Sequence, residues 1–324
     1  MKLRRILCFL LLTTALLLSG CAGKTNNPIS KTALYFDTVV TITLYDSDNL
    51  ALLNRCFEEC EAFEQTVSRT IETSEIYQIN HADGKPLEVS DVTLELIQKG
   101  VAYGDLTNGK FDITIAPLSE LWDFKSNTGQ IPSEEDIQEA LSHVNYRNIL
   151  IEGNTVTLTD PQAAIDLGGI AKGYMADRIK EYLENEGVKS ALINLGGNVL
   201  TIGKKPDGSP FHIGIQKPFD KQGNAITSVD AVNSSVVSSG VYERYFEVDG
   251  VFYHHILDTQ TGYPCDNHLL GVTILSESSV DGDALSTSCF LLGLEDGQKL
   301  VDSLDGVEAI FITEDYQLHD TRDK

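Results

Sequence analysis

The sequence has few positively charged residues, with 24 Lys and Arg against 48 Asp and Glu, which gives a formal net charge of −24 at pH 7. This excess of negative charge disfavours binding to nucleic acids or to anionic membrane surfaces. Any anionic ligand therefore needs a local cation or a metal ion to hold it. Acidic surfaces commonly serve solubility alone, so the total charge identifies no partner.

Several common catalytic signatures are also absent. The sequence has no Gly-x-Ser-x-Gly elbow and no metal-binding histidine pair, which disfavours ordinary esterases and zinc hydrolases. It has no Walker A loop, because Lys172 precedes Gly173 and no Ser or Thr follows. The six cysteines show no C-x-x-C or zinc spacing. Cys56 and Cys60, four residues apart on a predicted helix, are expected to be buried free thiols rather than a disulfide.

The N-terminus carries a targeting signal. Three cations precede an apolar run from Ile6 to Leu18, which is typical of a secretory signal and shorter than a membrane span requires. Leu18-Ser19-Gly20-Cys21 resembles a bacterial lipobox, in which cleavage precedes a cysteine that receives diacylglycerol. The alternative is a plain signal peptide with a chance cysteine. Cleavage after residue 20 would remove three cations and no acids, leaving a net charge of −27.

These features predict a signal peptide over residues 1–20, a tether with lipidated Cys21 over 21–31 and one domain over 32–324. A lipid anchor implies a protein on the extracytoplasmic face of a bacterial cell membrane. Within the domain, strands and helices interleave without a regular βαβ repeat, which predicts a single large α+β domain with antiparallel sheet and packed helices. Apolar periodicity predicts helices over 49–67, 74–80, 90–107, from 133, to about 186 and over 282–293. Strands are predicted at 34–45, 149–151, 155–159, 191–200 (with a glycine turn), 211–216, 229–239, 244–249, 251–257 and 271–276.

The stretch from Ile165 to Ile179 reads as a strand end, a glycine turn and a helix. Gly168 and Gly169 allow positive φ or a close backbone approach. A helix N-terminus offers free N–H groups that suit a phosphate, and Lys172 adds a cation one turn in. The alternative interpretation is an ordinary strand–turn–helix corner, because glycine turns before helices are common.

Two further segments carry residues suited to chemistry. Asp283 and Thr287, four apart on a helix, offer hard oxygen ligands for Mg²⁺, unless Asp283 is merely a helix N-cap. The segment from His254 to Pro264 ends a strand in a polar turn, where a histidine can be a general base or simply a satisfied histidine. Asp258 is expected to be a turn residue.

Taken in order, these pieces resemble the FAD:protein FMN transferases, the ApbE-type lipoproteins. The resemblance spans about residues 33–300 and rests on the ordered set rather than on any one motif. The segments that carry it are the lipobox, Phe36 to Ile42, Ser74-Glu75-Ile76, Gly109 to Asp112, Asp166 to Asp177, Asn194 to Asn198, His255 to Pro264 and Asp283 to Thr287. The family cleaves FAD and transfers its FMN phosphate to a Thr or Ser hydroxyl of an acceptor protein, with Mg²⁺ and release of AMP. Its architecture implies a T-fold-like domain here.

The resemblance also implies roles for individual residues. The metal ligands would be the Gly169 carbonyl and the side chains of Asp283 and Thr287, with Ser286 adjacent. The FAD site would be lined by Phe36, Thr70, Lys110, Phe111, Asp112, Asp166, Lys172 and Leu270. Phe36 stands where the family often has Met, and Thr70 where many members place an aromatic residue against the flavin nucleotide.

His255 is the candidate base for the acceptor hydroxyl, with an ionisation near pH 6.5 if unperturbed, and Asp283 is a weaker candidate. Asp283 is expected to be a ligand rather than a core residue, so that its replacement by Ala would leave the fold intact. Two alternatives share the same site. One is a Mg²⁺-dependent FAD pyrophosphatase, in which water replaces the hydroxyl, and the other is a flavin-binding lipoprotein without turnover.

Overall fold

The computed structural model describes residues 27–323. The predicted signal peptide, Cys21 and residues 22–26 of the predicted tether lie outside this range. Within it, no helix is both long and apolar enough to cross a bilayer.

The described chain forms fifteen strands and seven α-helices. The strands are β1 Ile29–Tyr35, β2 Thr38–Leu44, β3 Leu87–Glu88, β4 Ile149–Glu152, β5 Thr155–Leu158, β6 Ser190–Leu195, β7 Asn198–Gly203, β8 Phe211–Gln216, β9 Ala225–Ala231, β10 Ser235–Gly240, β11 Tyr245–Val248, β12 Val251–His254, β13 Leu269–Ser276, β14 Glu308–Thr313 and β15 Leu318–Asp320. The helices are α1 Leu50–Val67, α2 Glu75–Asn80, α3 Asp91–Leu106, α4 Ala116–Trp122, α5 Glu134–Ser142, α6 Ala171–Asn185 and α7 Ser279–Asp302.

An eight-stranded antiparallel sheet, in the order β1-β2-β6-β7-β10-β13-β14-β15, organises the molecule. Alternation along β14 shows how the sheet is covered. Ala309 and Phe311 pack with helix α7, whereas Ile310 and Ile312 pack with the β8–β9 hairpin on the opposite face. Helices α1 and α6 join α7 on the helical face. The α+β prediction with antiparallel sheet is confirmed.

Smaller units lie beside the main sheet. Strands β3, β5 and β4 form a three-stranded sheet, and β11 pairs with β12. Trp122 is 1% exposed and stacks on Phe124 in a cluster that joins helices α4 and α5 to the β11–β12 hairpin. Its indole N–H donates to the Gly262 carbonyl (2.8 Å), so the polar turn after β12 is tied to this cluster.

Several predicted boundaries are wrong. The predicted strand 34–45 is the β1–β2 hairpin, which begins at Ile29 and takes residues 29–31 from the predicted tether. Its turn is formed by Phe36 and Asp37, both of which have φ of +56°. Neither is a Gly or a Pro, the residue types that usually indicate a turn between two strands. The predicted strand 229–239 is divided between β9 and β10 by a turn at Asn233. Strand β12 ends at His254 rather than at residue 257.

The C-terminal part of the domain also differs from the prediction. Helix α7 covers 279–302 rather than 282–293, and Gly293 interrupts it with φ +78°. Strands β14 and β15 follow it, although no sequence pattern above predicts them. The thiol prediction is confirmed, because Cys56 and Cys60 are buried and free.

Candidate active site

The loop before helix α6 is held by the carboxylate of Asp166. One oxygen accepts from the Gly168 backbone N–H (2.8 Å), which forms a tight Asx turn, and the other lies 3.0 Å from Nε of Arg69. The two glycines do not adopt positive φ. A Cβ on Gly169 would lie 3.0 Å from the Phe111 ring, so the close-approach interpretation of this glycine applies.

Lys172 faces Asp283 across the start of α6. Its amine donates to the Gly168 carbonyl (3.1 Å) and lies 3.5 Å from Oδ1 of Asp283. The Lys172 side chain is 25% exposed, whereas that of Asp283 is 5% exposed. A cation and a buried carboxylate thus meet at a helix N-terminus, which is an arrangement suited to an anion or to a metal–phosphate group.

Asp283 caps a helix, but not its own. Helix α7 is capped by Ser278, which accepts from the Asp281 N–H. Oδ2 of Asp283 accepts instead from the Gly173 N–H in the first turn of α6 (2.9 Å). Replacement by Ala would therefore remove a buried hydrogen bond as well as the candidate ligand oxygens, and we expect this change to lower the stability of the fold.

Thr287 lies one turn after Asp283 on α7, and its hydroxyl is 3.1 Å from Oγ of Ser239 on β10. Ser286 points inward and is fully buried, where it donates to the Asp283 carbonyl (2.9 Å). No three His, Cys, Asp or Glu side chains converge within residues 27–323 as a metal cluster. A cation here would therefore depend on a single carboxylate together with hydroxyl, carbonyl and ligand oxygens.

His254 and His255 have opposite environments. His254 is satisfied, because its Nδ1 accepts from the Ile256 N–H (3.3 Å) and its Nε2 lies 3.1 Å from the Cys265 carbonyl. His255 is half-buried, and its Nδ1 is buried with no hydrogen-bond partner in the described part of the chain. Its backbone N–H donates to the Arg244 carbonyl (3.1 Å).

The pKa of His255 is lowered to about 3, chiefly by burial and further by the positive charge of Arg244. Lys172 adds a smaller lowering effect on the same pKa. The condition for an ionisation near pH 6.5, an unperturbed imidazole, is therefore not met. His255 is neutral at physiological pH, which is the form that a general base requires.

The turn at Gly109–Asp112, which was predicted to line the nucleotide site, is joined by hydrogen bonds and an ion pair to the segment after β12. The amine of Lys110 lies 3.0 Å from Asp258 and donates to Gln260, while Thr259 donates to the Gly109 carbonyl (2.7 Å). Asp112 is a structural residue, because its buried carboxylate accepts from the Thr114 N–H and hydroxyl and from the Tyr146 N–H. Phe111 is 5% exposed and packs against Tyr103.

Three other predicted residues lie farther around the site. Phe36 sits in the β1–β2 turn and packs edge-on against Phe63, which in turn stacks on Tyr174 of α6. Thr70 is exposed and follows Arg69, the partner of Asp166. Leu270 lies at an irregularity of β13, where its carbonyl accepts from the Val241 N–H (3.0 Å).

Comparison with known proteins identifies the family of this chain. The ApbE family model matches residues 36–311. The chain is 38% identical over 291 residues to an FAD:protein FMN transferase of Klebsiella pneumoniae, covering 89% of this chain and 90% of that protein. It is 30% identical over 317 residues to an FAD:protein FMN transferase of Treponema pallidum, covering 91% and 88%. The crystal structure of the ApbE protein from Thermotoga maritima matches with a TM-score of 0.84 at 33% identity, covering 92% and 98%.

The chain belongs to the ApbE family. Membership confirms the resemblance found in the sequence, and it places the matched region across the whole of the site described above.

A cleft of about 820 Å³, which the sequence motifs do not reveal, lies beside the candidate site, although none of Gly169, Lys172, Asp283 and Thr287 lines it. Arg244 and Glu243 line it beside His255, and Asp37 and Lys125 pair across it (2.7 Å). The pKa of Glu243 is raised because neighbouring protein atoms displace water from its carboxylate, an effect that Lys172 partly opposes.

Three residues that contact the candidate site were not found from the sequence, namely Arg69, Ser239 and Arg244. The signal for the two arginines is charge, because cations are scarce in this chain and each of these flanks a predicted site residue in sequence or space. Ser239 carries no such signal, since its role depends on β10 lying against α7.

Proposed function

We propose that this protein transfers the FMN phosphate of FAD to a Thr or Ser hydroxyl of an acceptor protein and releases AMP. The relatives that cover most of the chain are named FAD:protein FMN transferases. The observation that carries the proposal is the meeting of Lys172 and the buried carboxylate of Asp283 at the N-terminus of α6.

The donor set fits Mg²⁺. Asp283, the Thr287 hydroxyl and the Gly169 carbonyl are hard oxygen ligands, and Mg²⁺ is commonly held by one or two carboxylates together with substrate phosphates. When bound, the ion would neutralise the pyrophosphate charge that an acidic protein otherwise repels. Lys172 would supply the second positive charge at the same place.

We assign removal of the proton from the acceptor hydroxyl to His255, because its buried Nδ1 has no hydrogen-bond partner within residues 27–323. The hydroxyl oxygen forms a bond to the FMN-side phosphorus, while the bond from that phosphorus to the bridging oxygen breaks and AMP leaves with that oxygen. The proton taken by His255 then passes to solvent. If water enters in place of the hydroxyl, the same groups give FMN and AMP, which is the pyrophosphatase alternative.

We further propose that Cys21 carries a lipid and holds the enzyme on the extracytoplasmic face of the membrane. The support is the lipobox in the sequence and the position of the folded domain, which begins only a few residues later.

The decisive experiment compares wild type with Asp283→Asn, in which the amide oxygen can still accept from the Gly173 N–H. Purified protein is incubated with FAD, Mg²⁺ and a candidate acceptor protein, and AMP and acceptor mass are measured. We expect the variant to lose at least about 100-fold in AMP release, because a charged ligand is removed.

The matched control is Asp296→Asn, an exposed carboxylate on the same helix that pairs only with Lys299 in the contacts described, and it should keep full activity. AMP release by wild type without any rise in acceptor mass would make the protein a pyrophosphatase. Full activity of wild type in the presence of a chelator would contradict the metal assignment.

A further inference from the structure

Helices α6 and α7 pack against each other at their first two turns, and each supplies a carboxylate to the N-terminus of the other. Gly173 and Asp177 are four residues apart on α6, and Ser279 and Asp283 are four apart on α7, so each pair shares a face. Asp283 accepts from the Gly173 N–H (2.9 Å), and Asp177 accepts from the Ser279 N–H (2.8 Å).

Asp177 is the more heavily bonded of the two carboxylates. Besides Ser279, it accepts from the Val280 N–H (2.9 Å) and the Ser278 hydroxyl (3.3 Å). These donors are the otherwise unpaired groups at the start of α7. Asp177 therefore fixes where α7 begins relative to α6.

Helices α6 and α7 pack too closely at Gly173 to accept a larger residue there. A Cβ on Gly173 would lie 2.2 Å from the Ser279 carbonyl oxygen, so the two backbones touch directly. The proposed metal ligands are divided between the same two elements, since Gly169 precedes α6 and Asp283 and Thr287 lie on α7. Their separation depends on how the two helix N-termini are aligned.

We propose that Asp177 is a positioning residue for the cation site, acting through α7 to hold Asp283 and Thr287 opposite the Gly169 carbonyl. This inference rests on the proposed function only in the identity of the ligands. Asp177 itself bonds to the α7 N-terminus and makes no contact with the proposed ligand atoms.

The test is the affinity of the purified protein for Mn²⁺ alone, measured from the free-ion electron paramagnetic resonance signal. Asp177→Asn keeps one acceptor oxygen but turns the other into a donor that faces N–H groups. We expect its Mn²⁺ affinity to fall by about 10- to 100-fold, the usual effect of removing a group that orients a metal ligand. The matched control, Glu181→Gln, makes the same charge change at an exposed position one turn further along α6 and should bind as wild type does.

A purely structural Asp177 would give a lower melting temperature with unchanged Mn²⁺ affinity of the folded protein, and that result would overturn the proposal. Absence of Mn²⁺ binding by wild type would overturn it as well. If the Asn variant does not fold, Ser278→Ala offers a milder change. It removes the longest contact to Asp177 and the side-chain cap of α7, and we expect a severalfold loss of Mn²⁺ affinity. A wild type that binds Mn²⁺ but transfers no FMN would refute the proposed function and leave this inference intact.

Discussion

Two neighbouring histidines show how one residue type takes different roles through its surroundings. Both rings lose positive charge on burial, which lowers the pKa of His254 to about 4 and that of His255 to about 3. His254 uses both nitrogens in hydrogen bonds, whereas Nδ1 of His255 has no partner in residues 27–323. An unsatisfied buried nitrogen is costly to stability, so its retention beside Arg244 and Lys172 is consistent with a role in chemistry.

His255→Ala should keep FAD affinity and lose transfer activity. The nucleotide is held by other groups, while a positioned general base contributes about 10²–10⁴ in rate. Because the folded-state pKa is depressed, the imidazole stays unprotonated as pH falls, and its contribution to kcat/KM should be flat from pH 8 to about pH 5. FAD affinity is measured by fluorescence quenching and acceptor flavinylation is followed against pH.

His268→Ala is the control, since that imidazole is exposed and pairs with Glu314 at the surface. Loss of FAD affinity in His255→Ala would make His255 a binding residue. A wild-type profile that rises through pH 6.5 and disappears in the variant would mean that the imidazole titrates normally in the free enzyme.

At the scale of elements, sequence predicted what depends on local pattern. Helix α1 was readable from its apolar spacing, and the β4–β5 hairpin from Gly153-Asn154. The Phe36–Asp37 turn was not, because Phe is unusual in the left-handed conformation that both residues adopt and a single Asp does not indicate a two-residue turn. The site residues Asp283 and Lys172 were found, yet their relation was not, since the cap on Gly173 joins residues 110 positions apart. Such pairings depend on packing between elements, which a single sequence does not display.

We expect acidic pH to weaken the contact that His254 makes between strand β12 and the segment around Cys265, and so to lower the stability of the protein. His254 bridges these elements while neutral, and its pKa is about 4 in the folded state against about 6.5 when unfolded. A depressed pKa contributes stability that is present above pH 6.5 and is lost progressively as pH falls towards 4. For one such group this corresponds to about 2 kcal/mol of unfolding free energy between pH 7 and pH 5.

Urea unfolding of wild type and His254→Asn at the two pH values measures this contribution. We expect the variant to be less stable at pH 7 and to lose less stability than wild type at pH 5, with a residual loss from His255. The control, His268→Asn, should retain the wild-type loss, because the pKa of that exposed histidine is raised by Glu314 and its effect has the opposite sign. Equal losses in wild type and His254→Asn would show that His254 is not the titrating group.

At the scale of the whole molecule, the lipobox predicts a membrane anchor at Cys21. Cys21→Ser should give a protein that is either unprocessed or released, because the atom that receives the lipid is gone. Partition between detergent and aqueous phases, together with the N-terminal sequence of the product, reports both outcomes. A variant that still enters the detergent phase with a mature-length N-terminus would refute the lipobox prediction.

Because β1 begins close to Cys21, a lipid on that cysteine would limit how far the domain can move from the membrane. Ile29 is already in the sheet, eight residues after Cys21, so a fully extended tether would reach about 28 Å. The whole domain would then move over the bilayer within a layer little deeper than itself. Acceptors confined to the same layer would meet it at a raised effective concentration, whereas a hydroxyl carried far above the membrane would be out of reach. The length of this tether, rather than any contact in the cleft, would first determine which acceptor proteins the enzyme can modify.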